Sequence, residues 1–111
     1  LINILEKYNI NVIRPYNIQR LNQIFSRDIA FVIEDKIILA NIIENRKKEL
    51  EAIDMVLNQI PEEDKIKMPE NARAEGGDVM LLNEYIFVGY SEKEDFENYM
   101  VSRTNKAGLE Q

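Results

Sequence analysis

Two apolar runs joined by a polar turn occur twice in this chain, each pair behind an acidic entrance, and nothing else restricts its fold as strongly. Ile29-Ala30-Phe31-Val32-Ile33, a Glu34-Asp35-Lys36 turn and Ile37-Ile38-Leu39-Ala40 make the first pair. Val79-Met80-Leu81-Leu82, the polar Asn83-Glu84 and Tyr85-Ile86-Phe87-Val88-Gly89 make the second. Runs this short, rich in β-branched and aromatic residues and bounded by turn formers, read as β-hairpins. Asp28 opens the first hairpin and Glu75-Gly76-Gly77-Asp78 the second, so Asp28 and Asp78 stand fifty residues apart in one positional role. Recurrence at that distance marks a repeat array. Acids at matching strand mouths would then face a shared central site, and a cluster of carboxylates suits a cationic ligand.

The remainder can be laid out around the hairpins. Ile10-Asn11-Val12-Ile13 alternates like a strand until Arg14-Pro15 breaks it, and residues 16–27 form a polar connector holding Leu21, Ile24 and Phe25. A helix is predicted from about Glu44 to Asn58, with Ile43, Leu50, Ile53, Leu57 and Ile60 as its core stripe. Glu44 and Lys48, four apart, would pair on its exposed side. Pro61 ends it, 61–65 is a charged loop, and a returning strand near Ile66 and Met68 completes a strand-strand-helix-strand unit. Ile37, Leu50 and Phe87 are assigned to the core. Residues 92–101, with Phe96, Tyr99 and Met100, read as a lid or an extra helical turn. Short helical patterns at 1–8, with Ile4, Leu5 and Tyr8 on one side, and at 105–111 would be marginal alone. The chain is therefore expected to be an internal stretch of a longer protein.

Composition removes several function classes. A net charge of -6 among 111 residues argues against nucleic acid, which calls for a clustered basic face. No apolar run approaches the ~20 residues of a membrane span, and no secretory or transit signal is visible. The chain has no cysteine and no histidine, hence no disulfide, no thiolate nucleophile, no imidazole base and none of the usual soft metal ligands. Neither a metal nor a cofactor is expected.

Three segments in order carry a family resemblance: Phe25-Ser26-Arg27-Asp28 before the first hairpin, Glu75-Gly76-Gly77-Asp78 before the second, and Ser102-Arg103-Thr104-Asn105 after it. They resemble the aromatic-x-Arg-Asp, Glu-Gly-Gly-Asp and Ser-x-Arg-Thr-Asn segments of the pentein, or guanidino-group modifying, superfamily. That group includes arginine deiminases, dimethylarginine dimethylaminohydrolases and amidinotransferases. The resemblance implies a five-bladed α/β propeller of which this chain supplies about two blades: the end of one at 1–15, a second at 16–70 and the start of a third at 71–111. It also implies a cytoplasmic enzyme acting on arginine or a derivative through a cysteine-thiouronium intermediate, and it leaves self-association open.

Carried over by position, the resemblance makes Asp28 and Glu75 the carboxylates that grip a guanidinium. A planar fork of N–H donors is best matched by carboxylates placed edge-on. Arg103 would take the substrate carboxylate, and Arg46 is a further candidate for that task. Asp78, Gly76 and Gly77 would shape the hairpin mouth. No catalytic residue is expected within the chain, so the nucleophile and base would come from beyond Gln111. Arg103 also arrives about ten residues later than in the dimethylaminohydrolases. The structural alternatives are an Asp28 that caps a strand, an Asp78 that only fixes a turn and an Arg46 on a solvated face. Three function classes stay open: a hydrolase or deiminase, an amidinotransferase, and a non-catalytic binding relative.

Overall fold

The computed structural model describes residues 1–92 and 103–111. The expected lid at 92–101 therefore falls, apart from Glu92, outside the described residues. The architecture is mixed α/β, with a three-stranded sheet and a separate two-stranded sheet joined by short helical pieces.

Both hairpins form. Strands β1 (Ala30–Ile33) and β2 (Lys36–Leu39) are antiparallel, from Ala30↔Leu39 to Ile33↔Lys36. Glu34 and Asp35 alone make the turn, Glu34 taking a left-handed φ of 54°. Strand β3 (Lys65–Lys67) returns parallel to β2, pairing Ile37↔Lys65 through Leu39↔Lys67. The Lys36 ammonium donates to Asp64 at 2.7 Å and ties the two strand entrances together. Strands β4 (Val79–Leu82) and β5 (Tyr85–Val88) form the second hairpin, with Asn83 at φ 52° in the place of Glu34.

These registers correct the repeat by one residue. Strand starts, turns and ends superpose with a shift of 49 (30 to 79, 34 to 83, 39 to 88). The counterpart of Asp28 is thus Gly77, not Asp78. A strand slipped by one residue turns every side chain to the other face, so Asp28 and Asp78 cannot do the same job.

The predicted helix also changes character. Glu44–Ile53 is a ten-residue 3₁₀ helix, and only Asp54–Leu57 is α-helical. At three residues per turn, positions three apart are eclipsed, and burial follows that period: Ile43, Glu49 and Ala52 are buried and Arg46 is partly so. Leu50 and Ile53, again three apart, pack against the core beside that row. The ion pair expected between Glu44 and Lys48 is made instead by Glu44 and Lys47.

The core joins both sheets through Ile29, Phe31, Ala40, Ile42, Ala74 and Val79, with Ile33, Ile38, Met68 and Val88 against it. Phe87 is not part of it and is 50% exposed, like its neighbours Tyr85 and Ile86 on β5. Residues 10–13 form no strand, since no neighbouring strand completes a ladder with them. Ile4, on the first helix (Ile2–Lys7), and Tyr8, which caps its C-terminus, are exposed. The last helix, Lys106–Leu109, is capped by Asn105, whose side chain accepts from the Gly108 N–H. No helix among the described residues is long and apolar enough to cross a membrane.

Candidate functional site

The two hairpin mouths lie against each other, and their chemistry follows from what each omits. A single helical turn, Ser26–Ile29, leads into β1, and a 3₁₀ turn, Gly76–Asp78, leads into β4. Both mouths supply acidic side chains, and the second also supplies glycines that let the first approach. A Cβ on Gly76 would lie 2.1 Å from the carbonyl oxygen of Arg27, and one on Gly77 would lie 2.6 Å from Asp28 Oδ1. Neither glycine has a positive φ, so they are required for space rather than for backbone conformation. Arg27 reaches across and donates from Nη2 to the carbonyl of Val79, fastening one mouth to the other.

Glu75, 4% exposed, comes to rest at this junction. Its Oε2 accepts from Arg103 Nη1 at 2.9 Å and from Arg46 Nη1 at 3.2 Å. The same Arg46 nitrogen donates to Asp28 Oδ2 at 2.9 Å. Asp28 and Glu75, 47 positions apart in sequence, are thus bridged by one guanidinium nitrogen. The remaining edge of Arg46 is taken by Glu49, which accepts from Nε and Nη2 at 2.8 Å each. Sequence reasoning missed Glu49. Its signal was the spacing Arg46-Lys47-Lys48-Glu49, which puts both ends on one face of a helix.

Asp78 anchors the segment that carries Arg103. Its Oδ2 accepts from the N–H of Arg103 at 3.1 Å, the N–H of Thr104 at 2.9 Å and the Thr104 hydroxyl at 2.8 Å. That hydroxyl in turn accepts from the Glu75 N–H at 3.4 Å. Thr104, fully buried, is a second residue that sequence reasoning passed over. Asn105 extends the anchoring by accepting from the Arg73 N–H at 3.0 Å. Arg103 thus reaches the acidic cluster despite its late position.

The electrostatics follow from burial and pairing. Burial pushes the Glu75 carboxyl above the ordinary carboxylate range, while Arg103 and Arg46 pull it the other way. The guanidinium of Arg46 is held above its ordinary value chiefly by its bonds to Glu49. Three carboxylates, Asp28, Glu49 and Glu75, face two guanidinia, Arg46 and Arg103, so this network is one cation short of neutrality among the described residues. Glu75 Oε1 is buried and accepts no hydrogen bond from any described residue. A buried acceptor without a donor costs roughly 1–3 kcal/mol, and more when it is charged. No group of three or more acids among the described residues is arranged to hold a metal ion.

Comparison with known structures finds this fold in solved dimethylarginine dimethylaminohydrolases. It matches about a third of their length. One is a histidine-to-glycine variant as an adduct with S-methyl-L-thiocitrulline (21% identity, TM-score 0.62, covering 80% of this chain and 32% of that one). Another is a cysteine-to-serine variant of the Pseudomonas aeruginosa enzyme complexed with citrulline (21% identity, TM-score 0.62, 80% and 31%). A third is an adduct with 4-chloro-2-hydroxymethylpyridine at the same similarity. No protein-family model and no curated protein sequence matches the chain.

Proposed function

We propose that this chain is the guanidinium-binding part of a guanidino-group modifying enzyme, a hydrolase or deiminase acting on arginine or an arginine derivative. The observation that carries the reading is Glu75 Oε1, a buried acceptor beside Asp28 without a donor among the described residues, in a network where three described carboxylates face two described guanidinia. A ligand guanidinium supplies both a charge and a row of N–H donors. Asp28 Oδ2 and Glu75 Oε2 already hold Arg46, which leaves Oδ1 and Oε1 for the ligand.

Asp28 and Glu75 would grip the guanidinium, orienting its carbon for nucleophilic attack in a partly dry cleft. Asp78, with Gly76 and Gly77, would fix the geometry of the mouth, and Arg103 would sit at the rim to meet a ligand carboxylate. The chain has no cysteine or histidine, so the thiolate that forms the thiouronium and the imidazole that moves its protons would come from elsewhere in the parent protein. The parent would be a five-bladed propeller, with 16–70 as one blade, 71–111 as the start of the next and 1–15 as the end of the preceding one. Two of the matched structures are aminohydrolases carrying citrulline-type ligands, which favours water over an amine as the acceptor.

The test is calorimetric titration of the intact protein with arginine, citrulline and lysine, repeated on Glu75→Gln. Arginine should bind best, because a fork of acceptors selects a plane over a point charge, and the substitution should remove that preference. Equal affinity for all three ligands in the unaltered protein would sink the guanidinium reading.

A further inference from the structure

We infer that Glu49 is a positioning residue: it locks the Arg46 guanidinium into the carboxylate pair as a fixed structural cation and thereby sets the pair's selectivity for a ligand guanidinium. This rests on the functional reading given above and adds a residue and a task to it.

The inference starts from the order in which Arg46 spends its donors. Glu49 takes two of them in a side-by-side pair at equal 2.8 Å distances, and only Nη1 turns toward Asp28 and Glu75. Bidentate carboxylate–guanidinium pairs fix both distance and plane. Glu49 is 3% exposed, and its neighbours in the same row, Ile43 and Ala52, are buried too, so the pair cannot swing out without unpacking the 3₁₀ helix. Arg46 is thereby neutralised by Glu49 rather than by the clamp.

Two consequences follow for a ligand. First, Asp28 and Glu75 keep an unspent negative charge and do not have to shed Arg46 to bind a guanidinium. Secondly, Nη1 ties Oδ2 to Oε2 across the junction, which holds two like charges together and leaves Oδ1 and Oε1 as the pair's remaining acceptors. Without Glu49's hold, Arg46 would be drawn fully onto the clamp as its sole counter-ion and compete with the ligand for the same oxygens. If it were pulled back instead, Asp28 and Glu75 would repel and lose their common plane. A planar fork suffers from either change. A lysine ammonium, a point charge with rotatable donors, is indifferent to the plane.

Glu49→Asp separates position from charge, because it keeps the carboxylate and retracts it by one methylene. Glu49→Gln keeps the shape, removes the charge and presents a donor where an acceptor is needed. Arginine and lysine are titrated into the intact protein and both variants, with thermal unfolding recorded alongside. Both variants should lose about tenfold or more in arginine affinity, the scale of a misaligned charge-assisted hydrogen bond, with lysine affinity unchanged; if one variant fails to fold, the other decides. Arginine affinity in Glu49→Asp equal to the unaltered protein's, or arginine and lysine weakened by one common factor, would overturn the positioning role while leaving the guanidinium reading intact. An unaltered protein without arginine preference overturns that reading and this inference with it.

Discussion

Gly76→Ala offers the sharpest test of how the site is built, because the obstacle it meets is backbone. The new methyl would sit 2.1 Å from the carbonyl oxygen of Arg27 and 3.1 Å from the Cβ of Phe31. Non-bonded heavy atoms settle near ~3.5 Å, so the two mouths must part by roughly 1 Å. Overpacking of this kind costs about 1–3 kcal/mol. The displacement also carries Glu75, the next residue, away from Arg46 Nη1, a contact already at 3.2 Å. Losing a hydrogen bond between charged groups adds about 1.5–3 kcal/mol, giving a total of roughly 2.5–6 kcal/mol. Gly77→Ala is the control. Its methyl meets only the movable Asp28 Oδ1, at 2.6 Å, so stability should fall by about 1 kcal/mol while arginine affinity falls more steeply. Urea denaturation of the intact protein followed by circular dichroism reads the stabilities, with an unchanged slope confirming a common unfolding transition. A Gly76→Ala variant within about 0.5 kcal/mol of the unaltered protein, or Gly77→Ala as the more damaging change, would refute the close approach of the mouths.

Thr104→Val should lower stability by about 2 kcal/mol, since it strips a donor from Asp78 and an acceptor from the Glu75 N–H. Thr104→Ser, which keeps the hydroxyl, should recover most of that loss in the same denaturation assay, and equal losses would count against the hydroxyl relay. For pH, the Glu75 carboxyl is raised by burial, so the native state holds its proton to a higher pH than the unfolded chain. Stability from this group should therefore be greatest below the ordinary carboxylate value of about 4.3 and fall as pH rises through the raised value. Unfolding measured across that window should show a downward slope that Glu75→Gln abolishes; an identical slope in both proteins would exclude Glu75 as its source.

What the sequence determined by itself was local. Each hairpin is encoded within about a dozen contiguous residues, where apolar runs and a polar turn leave few alternatives, and both formed with the turns at Glu34 and Asn83. The glycine pair announced a tight approach but not what approaches, because the atoms it admits belong to Arg27 and Asp28. Only tertiary structure decided the rest. Ile43, Leu50, Ile53, Leu57 and Ile60 suit an α-helical stripe, yet the segment winds as a 3₁₀ helix that lines up Ile43, Arg46, Glu49 and Ala52 toward the interior. Periodicity registers apolar residues and is blind to a buried ion pair such as Arg46–Glu49. Phe87 likewise fits a core pattern, but how much of β5 is covered depends on where β1 and β2 lie, which no short window contains. The acidic cluster is the clearest case. Asp28, Arg46, Glu75 and Arg103 lie 18 to 29 positions from their partners, and their bonds exist only because backbone packing at Gly76 and Gly77 brings the two mouths together.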